Sequence, residues 1–167
     1  MNKAMEILYN YLRNKIYELN GEWISKPTYY EEGACVNFGF NRISGRHCDC
    51  EHNGTYIEMK KGSHSAWFDE IRYAEILMDT DYTWLTETIT MFMIPSVSKI
   101  RIDSIYLIDT QDIIKALCIT PEWAVRLIKR KEEVQRSLNY NHNMTIKDLR
   151  DMAKYVIHYN YNRLNWI

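Results

Sequence analysis

Two carboxylates and a lysine, Asp49, Glu58 and Lys60, flank the dipeptide Asn53-Gly54. Asn-Gly is the strongest short-range signal for a two-residue hairpin, because both turn residues must take positive φ and these types do so at least cost. With that dipeptide as the loop, His52 faces Thr55, and counting back pairs Glu51 with Tyr56, Cys50 with Ile57, Asp49 with Glu58 and Cys48 with Met59. Opposed residues of an antiparallel pair point to the same face. One face then carries Cys48, Cys50, Ile57 and Met59, and the other Asp49, Glu58 and Lys60. Two carboxylates with Cβ atoms about 5 Å apart repel one another and weaken a sheet. A hard divalent cation such as Mg²⁺ or Mn²⁺, bound by oxygen ligands, turns that repulsion into a binding site. The chemistry predicted from these residues is metal-assisted hydrolysis of a phosphodiester.

The flanking elements must hold this hairpin in place. Ala4, Ile7, Leu8, Tyr11, Leu12, Ile16 and Leu19 follow amphipathic helical spacing, and Asn20-Gly21 is a stop. Pro27 biases Lys26 toward an extended backbone. Residues 35–40 read as a short strand, with Cys35, Asn37 and Gly39 on one side and Val36, Phe38 and Phe40 on the other. After the hairpin, Ser63 or Ser65 can cap a helix running to about Met78, with an apolar stripe of Trp67, Phe68, Ile71, Ala74, Ile76 and Leu77. The Thr-, Ile- and aromatic-rich run 82–94 predicts a long strand stopped by Pro95, with 99–108 pairing beside it. Asp109 or Thr110 caps a helix to Leu117, Thr120-Pro121-Glu122 opens a second, and Thr145 with Asp148 forms a capping box for a third through Ile157.

The order helix, three antiparallel strands, helix, strand, with Asp49 on the second strand and Glu58-Met59-Lys60 on the third, resembles the PD-(D/E)XK nuclease superfamily. That superfamily includes restriction endonucleases and archaeal-type Holliday junction resolvases. Glu58-Met59-Lys60 is the only acid-x-Lys triplet in the chain, and the hairpin register puts Asp49 on its face. The resemblance implies an α/β fold with a restriction-endonuclease-like core over residues 1–110 and a helical extension, 111–167, packed on the same domain. It implies that Asp49, Glu58 and the backbone carbonyl of Met59 hold Mg²⁺ or Mn²⁺. Lys60 would orient the attacking hydroxide and stabilise developing negative charge. Many members add a glutamate from the first helix, for which Glu6 is the better candidate and Glu18 the second. The chain departs from the pattern at Cys48, where the family has proline, and it lacks the Gln-x-x-x-Tyr signature of the exonuclease branch. The implied activity is DNA endonuclease; the alternative is an inactive nuclease-fold module that binds nucleic acid or protein.

At 167 residues the chain suits one domain with a real core, and 6 Gly and 3 Pro leave little room for low-complexity linkers. A net charge of -1 argues against a uniformly basic nucleic-acid binder, so contact with a phosphate backbone must be local. Arg126, Lys129, Arg130 and Lys131, on one predicted helix, are the candidates for it, although Glu132 and Glu133 follow directly. The run His47, Cys48, Cys50, His52 could suggest zinc, but Cys48 and Cys50 share their face with Ile57 and Met59 and read as core. No apolar stretch reaches the about 20 residues that cross a bilayer, and the N-terminal residues lack the apolar run of a secretion signal. Four unpaired-looking cysteines then fit a reducing cytoplasm. Cutting two strands with one small site per chain predicts a homodimer.

Overall fold

Helix α1 (Asn2–Glu18) buries Met5, Leu8, Leu12 and Ile16, one residue per turn; Leu8, Leu12 and Ile16 belong to the predicted stripe, whereas Met5 takes the buried place expected of Ile7, which is exposed. This apolar face joins Phe38, Cys50, Ile57, Met59, Ile89, Met91 and Leu107 in one cluster. The computed structural model describes residues 2–19, 30–43, 48–78, 88–96, 101–134 and 140–159. The predicted stop at Asn20-Gly21, the extended backbone at Lys26, the histidine at 47 and residues 82–87 and 99–100 of the predicted strands lie outside that set.

The protein is mixed α/β. A six-stranded mixed sheet has the order β1 (Asn41–Arg42), β2 (Cys50–His52), β3 (Thr55–Lys61), β5 (Thr88–Pro95), β6 (Ile102–Asp109), β8 (Tyr155–His158), and a separate two-stranded ribbon pairs β4 (Ser65–Asp69) with β7 (Asn141–Thr145). Strands β1 (Asn41–Arg42), β2 (Cys50–His52) and β3 (Thr55–Lys61) form an antiparallel meander. The chain then passes through β4 (Ser65–Asp69) and helix α3 (Glu70–Met78) to β5 (Thr88–Pro95), which lies parallel to β3 with Glu58 beside Thr90. Strand β6 (Ile102–Asp109) turns back antiparallel, and β8 (Tyr155–His158) pairs with it.

The strand period of two sorts the side chains between two apolar clusters. Ile57 and Met59 of β3, with Ile89, Met91 and Met93 of β5, face α1. Phe92 and Tyr106 face the opposite way, toward Ile71, Tyr73 and Ala74 of α3 and Phe68 of β4. Glu58 and Lys60, one residue out of phase with Ile57 and Met59, therefore point to the α3 side.

Three of the C-terminal signals hold. Asp109 caps α4 (Thr110–Ala116) by accepting from the Gln111 N–H, and Thr120 accepts from Trp123 at the start of α5 (Pro121–Val134). The Thr145–Asp148 capping box opens α6 (Ile146–Met152).

Three predicted elements differ. Residues 35–40 are not a strand: α2 (Tyr30–Phe38) runs through them, burying Ala34, Cys35 and Phe38 while Val36 is 76% exposed. Gly39, at φ +70, ends it in a Schellman motif, with Phe40 N–H on the Cys35 carbonyl (2.8 Å) and Gly39 N–H on Val36 (3.2 Å). The helix predicted from Ser63 or Ser65 starts only at Glu70. Residues 65–69 alternate instead, with Ala66 and Phe68 inward and Trp67 60% exposed, and Asp69 supplies the cap by accepting from Ile71 N–H at 3.0 Å. The third C-terminal helix stops at Met152 rather than Ile157, because Ala153 turns extended (φ -64, ψ 130) and the following residues pair with β6.

Candidate active site

The hairpin forms as its turn residues require. Asn53 and Gly54 sit at φ 50 and 80, Glu51 Oε1 accepts from Gly54 N–H at 2.9 Å, and the ladder pairs His52 with Thr55, Glu51 with Tyr56 and Cys50 with Ile57. One step further the predicted register fails. Asp49 N–H donates to the Ile57 carbonyl (3.0 Å), although Ile57 is already the ladder partner of Cys50. Two residues of one strand set against one of the other is the pattern of a bulge, which turns the extra side chain out of its regular place. Neither the pair Asp49–Glu58 nor the pair Cys48–Met59 is therefore formed.

The bulge gives Asp49 another partner. Its Oδ2 accepts from the Met59 backbone N–H at 2.6 Å, beyond the end of β2. The N–H and C=O of one strand residue point to the same side, so the Met59 carbonyl faces the side of β3 on which Asp49 sits. Asp49 stays close to Glu58 all the same. Burial first, and the charge of Asp49 second, push the Glu58 carboxyl up to about 7 against the opposing pull of Arg72 and Lys60. Cys48 lies outside both apolar clusters, and its thiol is pushed up to about 11 by burial and then by Glu58 and Asp49. It is buried, as its reading as core predicts, but near the two acids rather than within either apolar cluster.

Glu58 is only 3% exposed. A buried carboxylate needs charge and hydrogen-bond compensation, and α3 supplies it. Arg72 Nη1 donates to Glu58 Oε1 at 2.6 Å and Arg72 Nη2 to Oε2 at 2.9 Å, the two-bond fork that a guanidinium makes with a carboxylate. Lys60 Nζ lies 3.8 Å from Oε1 and 5.5 Å from the centre of the Phe68 ring. The neighbouring Tyr73 is buried, and its hydroxyl has no hydrogen-bond partner among the described residues. Burial and the nearby Glu58 charge push its ionisation up. Buried polar groups are nearly always paired, so an orphan hydroxyl beside two carboxylates marks a place that water or a ligand can fill.

Of the predicted site residues, the fold brings together Asp49, Glu58, Met59 and Lys60 and adds Arg72 and Tyr73, which the sequence reading missed. The available signal was an arginine and a tyrosine between the core residues Ile71 and Ala74 of α3. Glu6 is not brought in: it is exposed on α1, which packs on the opposite face of the sheet, and Glu18 is exposed and near Lys15. Arg126, Lys129, Arg130 and Lys131 are all exposed on α5, which packs against α3. Lys131 there pairs with Glu75 and Arg130 lies 3.7 Å from Glu133.

Asp49, Glu58 and the Met59 carbonyl match in kind the oxygen donors that Mg²⁺ takes, namely one or two carboxylates completed by water and substrate. No group of three or more His, Cys, Asp or Glu among the described residues could hold a metal ion. Since Arg72 already holds both oxygens of Glu58, an ion fits only where that guanidinium withdraws. No described helix is long and apolar enough to cross a membrane. No protein-family model matches the chain, and no curated protein matches it.

Proposed function

We propose that the chain is a divalent-metal-dependent phosphodiesterase acting on DNA, an endonuclease with a restriction-endonuclease-like core. The carrying observation is the convergence of Asp49, Glu58 and Lys60 at the end of β3, with Glu58 buried and Asp49 raising its proton affinity. The element order supports the reading. Helix α1, the meander β1 to β3, helix α3 and the parallel strand β5 come in the order that the superfamily resemblance implies, with α2 and β4 inserted among them. Asp49, Glu58 and the Met59 carbonyl would hold Mg²⁺ or Mn²⁺. Bound there, the ion would supply Lewis-acid polarisation of a phosphate oxygen and a lowered pKa for water. Lys60, with its ammonium over the Phe68 ring and near Glu58, would hold the attacking hydroxide and offset charge that develops on the phosphoryl oxygens.

The test is incubation of purified protein with duplex, branched and single-stranded DNA in Mg²⁺, Mn²⁺ or EDTA. Cleavage should require the divalent ion and drop by two orders of magnitude or more, on the order of 10²–10³, in Asp49→Ala and Lys60→Ala. Cleavage that survives both substitutions removes the site assignment. One observation favours a second reading: the Arg72 fork satisfies Glu58 without any metal, as a nuclease fold kept only for binding nucleic acid or protein would need. Absence of cleavage on every substrate, with retained DNA binding, selects that reading.

A further inference from the structure

We infer that Arg72 is an exchangeable counter-ion, which holds Glu58 until a divalent cation displaces it and then binds a phosphate group of the nucleic acid. The inference rests on the functional reading above. Glu58 is almost fully covered, and both of its oxygens are on the Arg72 fork, so no ion reaches them while that fork stays. Arg72 can make room without unfolding the hairpin. Its side chain is one-third exposed, it stands on the first turns of α3, and its long stem can swing while the helix stays packed on α5.

Electrostatics supplies the direction of the exchange. Asp49 and Glu58 together need positive charge nearby, which Arg72 and Lys60 provide when no ion is bound. A divalent ion arriving between the acids would face those two cations at close range, and the more exposed of them yields. A guanidinium released beside a metal-bound phosphodiester meets a pair of non-bridging oxygens that its fork can engage together. Metal and phosphate should then help one another to bind, with Arg72 as the coupling element.

Metal binding itself reads this out, without any turnover. Mn²⁺ would be titrated into the full chain and followed by loss of the free-ion electron paramagnetic resonance signal, with and without dimethyl phosphate as the phosphodiester probe. Arg72→Ala should bind Mn²⁺ about tenfold or more tightly than the wild type, with Arg72→Lys in between, because a lysine keeps the charge and loses the fork. Dimethyl phosphate should tighten Mn²⁺ binding in the wild type and have little effect in Arg72→Ala. Adding Asp49→Asn to Arg72→Ala should abolish binding. If the wild type binds Mn²⁺ through Asp49 and Arg72→Ala binds no more tightly, the inference falls and the functional reading stands. If no variant binds Mn²⁺, both fall. If circular dichroism finds Arg72→Ala unfolded, Arg72→Lys decides: affinity equal to the wild type overturns the exchange, and tighter binding supports it.

Discussion

Glu58 couples its protonation to folding. Burial first, and Asp49 second, raise its pKa from 4.5 to about 7 in the folded chain. A folded-state value above the unfolded one means that the folded state holds the proton more tightly. The stability this contributes is complete below about 4.5 and is lost as pH rises through about 7. At about 1.36 kcal/mol for each pH unit, that gap is worth roughly 3 kcal/mol. Urea unfolding of the metal-free protein from about pH 5 to about pH 8 should record the loss, and Glu58→Gln should flatten it. The difference between the two proteins isolates Glu58 from His52, whose pKa burial lowers and which acts with the opposite sign. A slope unchanged in Glu58→Gln would mean that another group carries it. Tyr73 gives a second residue-level expectation. Its hydroxyl already bears the cost of burial without a partner. Tyr73→Phe should leave the metal-free melting temperature unchanged or raise it, by up to about 1 kcal/mol in stability. A clear drop in melting temperature would mean that the hydroxyl is satisfied in solution.

Among the elements, those with a local cause were legible in the sequence. The hairpin needed only Asn53 and Gly54 at positive φ, and α4, α5 and α6 needed only caps within three residues of their starts. Elements with a distant cause were not. Ser65–Asp69 is a strand because it pairs with β7 (Asn141–Thr145), and no local signal announces a partner so far along the chain. Tyr155–His158 likewise leaves its predicted helix because β6 offers a free edge. In 35–40, the alternation of Val36, Phe38 and Phe40 imitated a strand, and Gly39 was the overlooked sign of a helix end. The candidate site splits the same way. Glu58 and Lys60 follow from the hairpin, whereas the bulge that places Asp49 and the Arg72 fork depend on backbone and helix packing. Two glycines test what the hairpin's connections require. A Cβ on Gly62 would lie 2.0 Å from the Ser65 carbonyl oxygen, so Gly62→Ala must open the corner between β3 and β4 and should cost roughly 3 kcal/mol or more. A Cβ on Gly54 meets nothing within 4 Å, and Gly54→Ala should cost only its positive φ, about 1–2 kcal/mol. Thermal melts of both variants check the order, and equal losses would contradict the geometry at Gly62.

For the molecule as a whole, a net charge of -1 means that any grip on DNA comes from a patch rather than from the summed field. Helix α5 carries the candidate patch, and its position against α3 puts it on the helix that bears Arg72. The four basic residues there are not equivalent. Lys131 spends its charge on Glu75 of α3 and Arg130 is near Glu133, so release from an acid would offset part of any phosphate contact they made. Arg126 and Lys129, one turn apart and both exposed, have the better claim. If they contact the backbone, the double variant Arg126→Ala with Lys129→Ala should weaken DNA binding across all sequences alike. It should also lower the slope of log affinity against log salt by about 2, since each phosphate contact releases about one counter-ion. Metal affinity should not move, because neither residue belongs to the Asp49 and Glu58 cluster. Fluorescence anisotropy over a salt series, run in calcium or EDTA to suppress cleavage, measures the slope directly. A slope unchanged from the wild type would take α5 out of the interface and leave Lys60 and Arg72 as the positive charges nearest the buried acid.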